Sequence, residues 1–395
     1  MVLKHRISLF SFFLCACFYL SPKISRAQDP TYSQFNLNQL YYNPAYTGYQ
    51  YGHQISATYR TLWPNVRGKK IPGPLSTYHA WFDGVVNLPK GMYLGLGAFA
   101  MQDVEGEGFL TTTSGGLSIA AHFPKISYRQ DALPRLKLSV GAKVYFNSLS
   151  IDWDRLVFTD QLDIDLGILG SSGFGETGRF RRNYFDFDIG GLLLNNFMGK
   201  DKWYNEFGFS VAHVLMPSIS LTGATDENRA LPRKYVVSYR STVNLVGGKL
   251  FIGPTILFEN QGSPFFRIKT ADFYTLNTGL DFFIRPSTRS WVVPLTVSLM
   301  NRMSIVQNKI NTSSIILGLT HKGSFGGKPS SPVYYVGAAF DFPYLGLGMQ
   351  SAGAYEFTVG IIFPPKHTNG FSSCPYSTFD HKGYFNSNPF MRRKK

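Results

Sequence analysis

The sequence predicts an all-β fold, a transmembrane antiparallel β-barrel of about fourteen strands. Charged residues make up only 16% of the 395 residues, whereas ordinary globular proteins contain roughly a quarter. Aromatic residues also make up 16%, and 39 residues are glycine, which fits aromatic-rich strands joined by tight turns. Apolar and polar residues alternate over segments of roughly ten residues, the length at which a tilted strand crosses a bilayer.

The alternation is clearest in residues 136–147. One face carries Leu136, Leu138, Val140, Ala142, Val144 and Phe146, and the other carries Lys137, Ser139, Gly141, Lys143, Tyr145 and Asn147. A period of two places one face against lipid and the other in a wetter lumen. A soluble sandwich also alternates, but rarely over segments of this length.

The same pattern predicts where each strand begins. The predicted first residues are His53, Ser76, Met92, Ser114, Arg135, Tyr184, Trp203, Tyr235, Lys249, Phe273, Trp291, Asn311, Val333 and Ala352. An even number of strands suits an up-and-down barrel, which leaves no unpaired edge in hydrocarbon. Connections after odd-numbered predicted strands are longer than those after even-numbered ones. Bacterial barrels have their long loops outside, so both chain ends are expected in the periplasm.

The lumen face carries ionisable residues that we expect to pair across the interior and plug it rather than to catalyse. They are Lys143, Asp188, Arg240, Asp281 and Glu356.

The first 27 residues resemble a cleaved export signal. A basic region around Lys4 and Arg6 precedes the apolar stretch 7–20, and small residues end at Ala27. Cys15 and Cys17 leave a lipoprotein signal as an alternative. Cleavage before Gln28 would lower the formal charge from +15 to +11, because four basic residues and no acidic ones precede it. Export argues against nucleic acid as the basic chain's partner and favours lipopolysaccharide, lipids or an acidic protein.

The mature chain is expected to have three parts: an N-terminal periplasmic or plug segment (28–52), an outer-membrane barrel (53–363) and a basic periplasmic tail (364–395). The tail lacks periodicity and has too little apolar content to fold alone. Its Cys374 is either an inert thiol or able to pair with another chain. The tail ends in Arg392, Arg393, Lys394 and Lys395.

No pattern for catalysis emerges. The sequence has no G-x-S-x-G nucleophile elbow, and its eight histidines show no metal-ligand spacing on one element. We therefore expect a non-enzymatic protein without a cofactor. An acidic loop after the fifth strand is predicted to be solvated, with calcium as the alternative. The residues predicted to contact a partner are Trp63, Asp152, Trp153, Asp154, Asp160, Asp163, Arg179, Arg181 and Arg182. They lie in two predicted outer loops, 63–75 and 148–183.

Three motifs appear in order near the mature N-terminus: Gln-Asp-Pro-Thr-Tyr-Ser-Gln-Phe at 28–35, Tyr-Tyr-Asn-Pro-Ala-Tyr-Thr-Gly at 41–48 and Tyr-Arg-Thr-Leu-Trp-Pro at 59–64. Together with Asp152-Trp153-Asp154, they resemble the PorP/SprF family of type IX secretion proteins. The turn with Asn43, Pro44 and Gly48 is expected either to help plug the barrel or simply to pack before the first strand. The motif residues concerned are Tyr41, Asn43, Pro44, Ala45, Tyr46, Gly48, Tyr59 and Arg60.

The resemblance implies an outer-membrane protein of the Bacteroidetes group that works with the type IX machinery. It implies support for secretion or surface anchoring of a very large exported protein, such as a gliding adhesin. An alternative within the family is a core link to periplasmic peptidoglycan-associated components. Alternatives from other classes are a general porin or small-solute channel and an outer-membrane lipase.

Overall fold

The computed structural model describes residues 29–50, 52–66, 69–70, 75–89, 92–123, 136–163, 165, 167–168, 172, 177–196, 203–221, 230–246, 249–262, 273–284, 295–306, 309–325, 331–345 and 353–363. The predicted signal (1–27) and basic tail (364–395) lie outside the described residues. So do the predicted roles of Cys374 and of the last four residues.

Fourteen strands form the barrel wall. They are β1 (His53–Leu62), β2 (Leu75–Asn87), β3 (Tyr93–Glu105), β4 (Leu110–Phe123), β5 (Leu136–Asp152), β6 (Arg179–Asn196), β7 (Trp203–Ala212), β8 (Lys234–Val246), β9 (Leu250–Gln261), β10 (Phe273–Ile284), β11 (Leu295–Val306), β12 (Lys309–Ser324), β13 (Val333–Leu345) and β14 (Ala354–Phe363).

Each strand pairs antiparallel with the next along the chain, and β1 pairs with β14 to close the barrel. At this seam His53 is opposite Phe363 and Arg60 is opposite Glu356. Closure gives every wall strand a partner on both sides, as hydrocarbon requires. The predicted fold class is therefore confirmed.

All fourteen predicted starts fall close to observed ones, with β1, β7, β10 and β13 beginning at the predicted residue. The largest displacement is at β6, predicted to begin at Tyr184 and observed from Arg179. The expected alternation of loop lengths holds only in part, because β3 and β4 are joined by the short turn 106–109.

The two faces of β5 are those that the sequence predicts. Val140 and Val144 are 51% and 52% exposed on the outer face, whereas Lys143 is 5% and Asn147 2% exposed on the inner face. Apolar outer residues and buried polar inner residues recur along β1, where Ile55 is exposed and Arg60 buried. Lipid-facing side chains thus stabilise the wall from outside, and the polar interior needs internal partners.

We call the end at which β1 begins and β14 finishes the lower end, and the opposite end the upper end. The pair β5–β6 reaches furthest at the upper end, because Asp152 and Arg179 remain paired there. The segment between these strands contains short 3₁₀ helices, Trp153–Arg155 and Thr159–Gln161, and the strand pair Leu162–Asp163 with Gly167–Ile168. Another short pair, Asn65–Val66 with Lys69–Lys70, follows β1.

Residues 29–50, the N-terminal segment, lie inside the barrel. Asp29 contacts His213 and Gln261 near the upper end, whereas Tyr49 bonds to Glu206 toward the lower end. Between them lie the four-residue helix α1 (Gln39–Tyr42) and a 3₁₀ turn (Pro44–Tyr46). No helix among the described residues is long and apolar enough to cross a membrane.

The path of this segment adds to the sequence expectation, which concerns chain ends that lie outside the described residues. Strand parity predicts both chain ends at one end of the barrel. The structure places Asp29 at the upper end and Phe363 at the lower end. Parity fixes only where β1 begins, and the segment before β1 runs back through the lumen.

Wall glycines make room for the segment. A Cβ on Gly95 would overlap the carbonyl oxygen of Thr47, and a Cβ on Gly141 would lie 2.5 Å from the backbone nitrogen of Ala45. No larger residue fits here unless the segment moves. The turn itself uses Gly48, whose φ of 69° lies in the left-handed region.

We expect Gly95→Ala to displace the N-terminal segment and to cost about 1–3 kcal/mol, because overpacking forces the neighbouring backbone to shift. Gly115→Ala is the matched control, because its Cβ would meet its nearest heavy atom at 3.9 Å. Thermal unfolding of the purified barrel in detergent, with proteolysis mapping of 29–50, measures the difference. Equal unfolding temperatures for the two variants would contradict this packing.

Candidate functional site

The N-terminal segment is held at the wall by a buried carboxylate on β14. Glu356 accepts hydrogen bonds from the backbone nitrogens of Ser33 at 2.5 Å and Gln34 at 3.0 Å. The amide of Asn38 also donates to it, at 3.3 Å. Glu356 is fully buried, and Arg60 Nε lies 3.6 Å from it. The carboxylate therefore binds the seam strand β1 and the N-terminal segment together.

Arginines extend this network across the lumen. Asp341 on β13 pairs with Arg60 at 3.1 Å and with Arg302 at 2.7 Å. The two guanidinium groups also donate to the carbonyl oxygens of Thr31 and Tyr32, respectively, at 2.5 Å each. Charged hydrogen bonds of this kind are stronger than neutral ones. Charged side chains on four strands are thus linked in one network that bonds to a single stretch of the N-terminal segment.

A second carboxylate holds the other half of the segment. Glu206 on β7 accepts hydrogen bonds from the hydroxyls of Tyr46 and Tyr49, and Arg240 on β8 pairs with it at 3.1 Å. Glu206 is 1% exposed. The tyrosine rings fill apolar space while their hydroxyls satisfy the buried charge.

The turn between these anchors follows from its sequence. The Asn43 side chain accepts a hydrogen bond from the Ala45 nitrogen at 2.9 Å and donates to the carbonyl oxygen of Gly191 at 3.0 Å. Pro44 begins the 3₁₀ turn, where its fixed φ is favourable. Ala45 is fully buried. The family motif residues therefore build a rigid corner against β6 and β7.

Aromatic rings complete the packing. Tyr32, Phe35 and Tyr42 form a cluster with inward-facing strand residues such as Leu257 and Ile316. Tyr41 packs edge-on against Tyr32, with ring centroids 4.9 Å apart. Lys143 donates to the carbonyl oxygen of Tyr41 at 3.3 Å. Of the remaining motif residues, Tyr59 lies on the outer face of β1 at 36% exposure.

Four of the five predicted lumen charges are in ion pairs, and the fifth, Asp281, is held by hydrogen bonds from hydroxyl groups. Lys143 and Asp188 lie 2.8 Å apart, and Arg240 and Glu356 take part in the clusters described above. Asp281 accepts hydrogen bonds from Thr255 and Ser298. Pairing is what burial of these charges requires.

An ion cluster fixes the start of the segment at the upper end. Asp29 Oδ2 lies 2.8 Å from His213 Nε2, and Asp186 Oδ2 lies 2.6 Å from His213 Nδ1. Lys234 lies 3.7 Å from Asp29, and Gln261 accepts from the Asp29 nitrogen at 3.1 Å. His213 has a φ of 56°, and its backbone nitrogen donates to Asp188.

The groups of this cluster stabilise one another in their charged forms. Burial opposes protonation of His213, but the adjacent Asp29 and the hydrogen bond to Asp186 outweigh it and raise the pKa to about 10. Burial raises the pKa of Asp29, but His213 and Lys234 outweigh this and hold it well below its usual range. The imidazolium and carboxylate therefore remain charged at neutral pH.

Cavities lie on both sides of this start. Cavities of 180 Å³ and 260 Å³ flank Asp29 and Pro30 at the upper end, and the larger one also contacts Trp63. A smaller cavity of 60 Å³ lies toward the lower end, beside Tyr49 and Gln54. The N-terminal segment separates the upper cavities from the lower one.

The predicted partner residues lie at the upper end. Trp63 follows β1, has a φ of 46° and donates its backbone nitrogen to the Gly353 carbonyl oxygen at 2.7 Å. Asp152 ends β5 and pairs with Arg155. The carboxylate of Asp154 accepts from the Gly178 nitrogen, which brings the acidic loop beside Arg179. Among the residues that the structure describes, no group of three His, Cys, Asp or Glu side chains is placed to hold a metal ion.

One loop prediction is corrected. Arg179, Arg181 and Arg182 belong to β6 rather than to a loop, and β5 continues to Asp152. The alternation missed this extension because it relies on a lipid-facing apolar side, which strands above the bilayer do not need. Asp160 and Asp163 do lie in the loop between the two strands.

The sequence analysis did not identify several residues of the site. Glu206, Asp341 and Arg302 lie on strands as buried charges of the same kind as Glu356, so charged residues at lumen positions were the available signal. His213 and Gly95 carried no such signal, because their roles depend on what the N-terminal segment brings against them.

The geometry defines an outer-membrane-type β-barrel whose lumen contains its own N-terminal segment. A family model described as "Type IX secretion system membrane protein PorP/SprF" matches residues 24–361. The chain belongs to this family.

Among solved structures, a FadL homologue of Pseudomonas aeruginosa has a TM-score of 0.44 at 11% identity, covering 85% of this chain and 94% of that one. The toluene transporter TodX of Pseudomonas putida has a TM-score of 0.41 at 12% identity, covering 85% and 98%. Omp33 of Acinetobacter baumannii has a TM-score of 0.36 at 10% identity, covering 80% and 98%. At these TM-scores and identities, the likeness supports no statement about this chain's function. No curated protein sequence matches the chain.

We expect Glu356→Gln to lower the free energy of unfolding by about 1–3 kcal/mol, because it weakens three buried hydrogen bonds and removes a charge beside Arg60. Glu107→Gln, at an exposed turn position, is the control and should change stability by less than about 0.5 kcal/mol. Denaturant unfolding in detergent measures both. An equal effect of the two variants would show that the buried carboxylate is dispensable.

The raised pKa of His213 predicts a pH dependence. Its stabilising contribution is fully present below the unfolded pKa of about 6.5 and is lost as pH rises through about 10. The stability difference between the wild type and His213→Gln should therefore narrow between pH 6.5 and 10. The free energy of unfolding, measured across this pH range, checks this prediction. His53→Gln, on the exposed face of β1, is the control. A constant difference would rule out the charged imidazole as the source.

Proposed function

We propose that this protein is a non-enzymatic outer-membrane component of the type IX secretion system that supports secretion or cell-surface anchoring of a large exported protein, such as a gliding adhesin. Family membership supports a role with the secretion machinery. The observation that carries the proposal is the N-terminal segment, bound through the lumen by the buried carboxylates Glu356 and Glu206. This filling distinguishes the barrel from an open diffusion pore, whose lumen is water-filled.

In this proposal, the upper end faces the outside and binds the exported protein. The pair β5–β6 projects there, and it carries the loop 153–178 with aromatic, acidic and basic residues. Trp63 and the predicted partner residues of this loop surround the same opening. The lower end and the basic tail then face the periplasm, after cleavage of a signal before Gln28.

Two alternatives predict different partners. A core-machinery role would use the lower end and tail to contact peptidoglycan-associated components. A porin role would use the upper cavities of 180 Å³ and 260 Å³ as parts of a path that opens when the segment moves.

The test compares the tagged full-length protein, gently solubilised from its native outer membrane, with a variant in which residues 153–178 are replaced by Asn-Gly. Asp152 and Arg179 are paired, so a two-residue turn can close this hairpin. We expect the wild type to co-purify a very large exported protein, identified by mass spectrometry, and the variant to lose it. Shortening of the lower connection 124–135 is the matched control.

Other outcomes select among the alternatives. Secretion components without exported protein favour the core-machinery role. Recovery of neither, together with steady conductance in a planar bilayer, favours the solute channel. Retention of the exported protein by the loop variant would contradict the placement of its binding site on this loop.

A further inference from the structure

The barrel wall has a step at the upper end. β6 pairs with β5 from Arg179 onward, but its pairing with β7 begins only at Ile189. One further backbone contact follows, from the Val214 nitrogen to the Phe187 carbonyl oxygen at 3.0 Å. Above Phe187, β6 therefore has a strand partner on one side only among the described residues.

The direction of the free backbone groups follows from this contact. In an antiparallel pair, successive residues point their N–H and C=O groups alternately to one neighbour and the other. Because the Phe187 carbonyl points away from β5, the backbone groups of Phe185, Asn183, Arg181 and Arg179 do so too. No described residue bonds to the backbone groups of these four. We call residues 179–185 the free edge of β6.

The described residues after β7, 213–221 and 230–233, do not pair with this edge. The chain turns inward at His213, whose backbone nitrogen donates to Asp188. Ser220 is 3% exposed, and Ile219 and Leu221 line the upper cavity of 180 Å³. Residues 219–221 therefore lie over the lumen and not along the free edge.

The free edge is basic and reaches water. Phe185 is 70% exposed on the outer face, as expected at the level of lipid. Asn183, Arg181 and Arg179 follow on the same face and are also exposed. Arg182 lies between them on the inner face. No ion pair links these arginines to a described residue.

We propose that the free edge of β6 continues the binding surface of the loop 153–178 and binds an extended acidic segment of the exported protein as an added β-strand, a proposal that rests on the proposed function. Main-chain hydrogen bonds to an exposed edge give affinity, and the neighbouring side chains give specificity. The arginines favour acidic side chains at alternate positions. The Asp152 and Asp154 carboxylates nearby are already bonded to Arg155 and to the Gly178 nitrogen.

The decisive variant is Asn183→Pro, which removes one backbone N–H that points away from β5. The hydrogen bonds between β6 and β5 stay in place, because proline is tolerated on an edge strand. Asn183→Ala is the matched control, since it changes the side chain but keeps the N–H. The probe is a synthetic peptide of alternating Glu and Val or Thr residues, and its partner control carries Lys in place of Glu. Fluorescence anisotropy with the full-length barrel in detergent measures binding.

We expect saturable binding of the acidic peptide, at least a tenfold loss in Asn183→Pro and less than a twofold change in Asn183→Ala. Binding of the Lys peptide should be absent. Equal binding by Asn183→Pro and wild type, or no saturable binding by wild type, would overturn the proposal. If Asn183→Pro fails to fold, the pair Arg179→Glu with Arg181→Glu replaces it and is expected to lose at least tenfold. Unchanged binding by this pair also overturns the proposal.

Co-purification distinguishes failure of this proposal from failure of the proposed function. If wild type and Asn183→Pro recover the exported protein equally, the free edge is not its docking site and the proposed function stands. If even the wild type recovers none, the proposed function fails first. Recovery by wild type and Asn183→Ala but not by Asn183→Pro supports both.

Discussion

The ion pair at the closing seam connects the barrel to its contents. Arg60 on β1 and Glu356 on β14 occupy opposite positions in the register that closes the wall, and the same carboxylate receives the backbone nitrogens of Ser33 and Gln34. Asp341 pairs with the Arg60 guanidinium at 3.1 Å, so both buried charges at the seam have partners, as burial of ions requires. Closure of the barrel and positioning of the N-terminal segment are therefore parts of one arrangement.

The polar interior explains why the segment is needed. Strands that face lipid on one side must place their polar side chains in the lumen, and those side chains need hydrogen-bond partners. Salt bridges such as Lys143 with Asp188 supply some of them. The N-terminal segment supplies others through its own backbone, as at Glu356, and through tyrosine hydroxyls, as at Glu206. Apolar clusters around Tyr32 and Tyr49 fill part of the remaining space.

The upper end of the barrel holds the fixed start of the N-terminal segment and, above it, exposed groups suited to binding a partner. The cluster of Asp29, His213 and Asp186 fixes the start of the segment inside the lumen. Above it, the extension of β5 and β6 carries backbone and arginine groups without described partners. Under the proposed function, this combination lets an exported protein bind at the upper end while the wall and the N-terminal segment stay in place.

The sequence by itself determined the barrel class, the fourteen strands, the lipid-facing side of each and the charges of the lumen, because alternation with period two records a wall between lipid and water. It also carried the family motifs and the compact turn at Asn43 and Pro44. Only the tertiary structure decided that the N-terminal segment runs back through the barrel, that Gly95 and Gly141 clear its path and that β6 extends to Arg179. These features depend on contacts between residues far apart in the chain and on strand pairing above the bilayer, where no lipid face imposes a pattern.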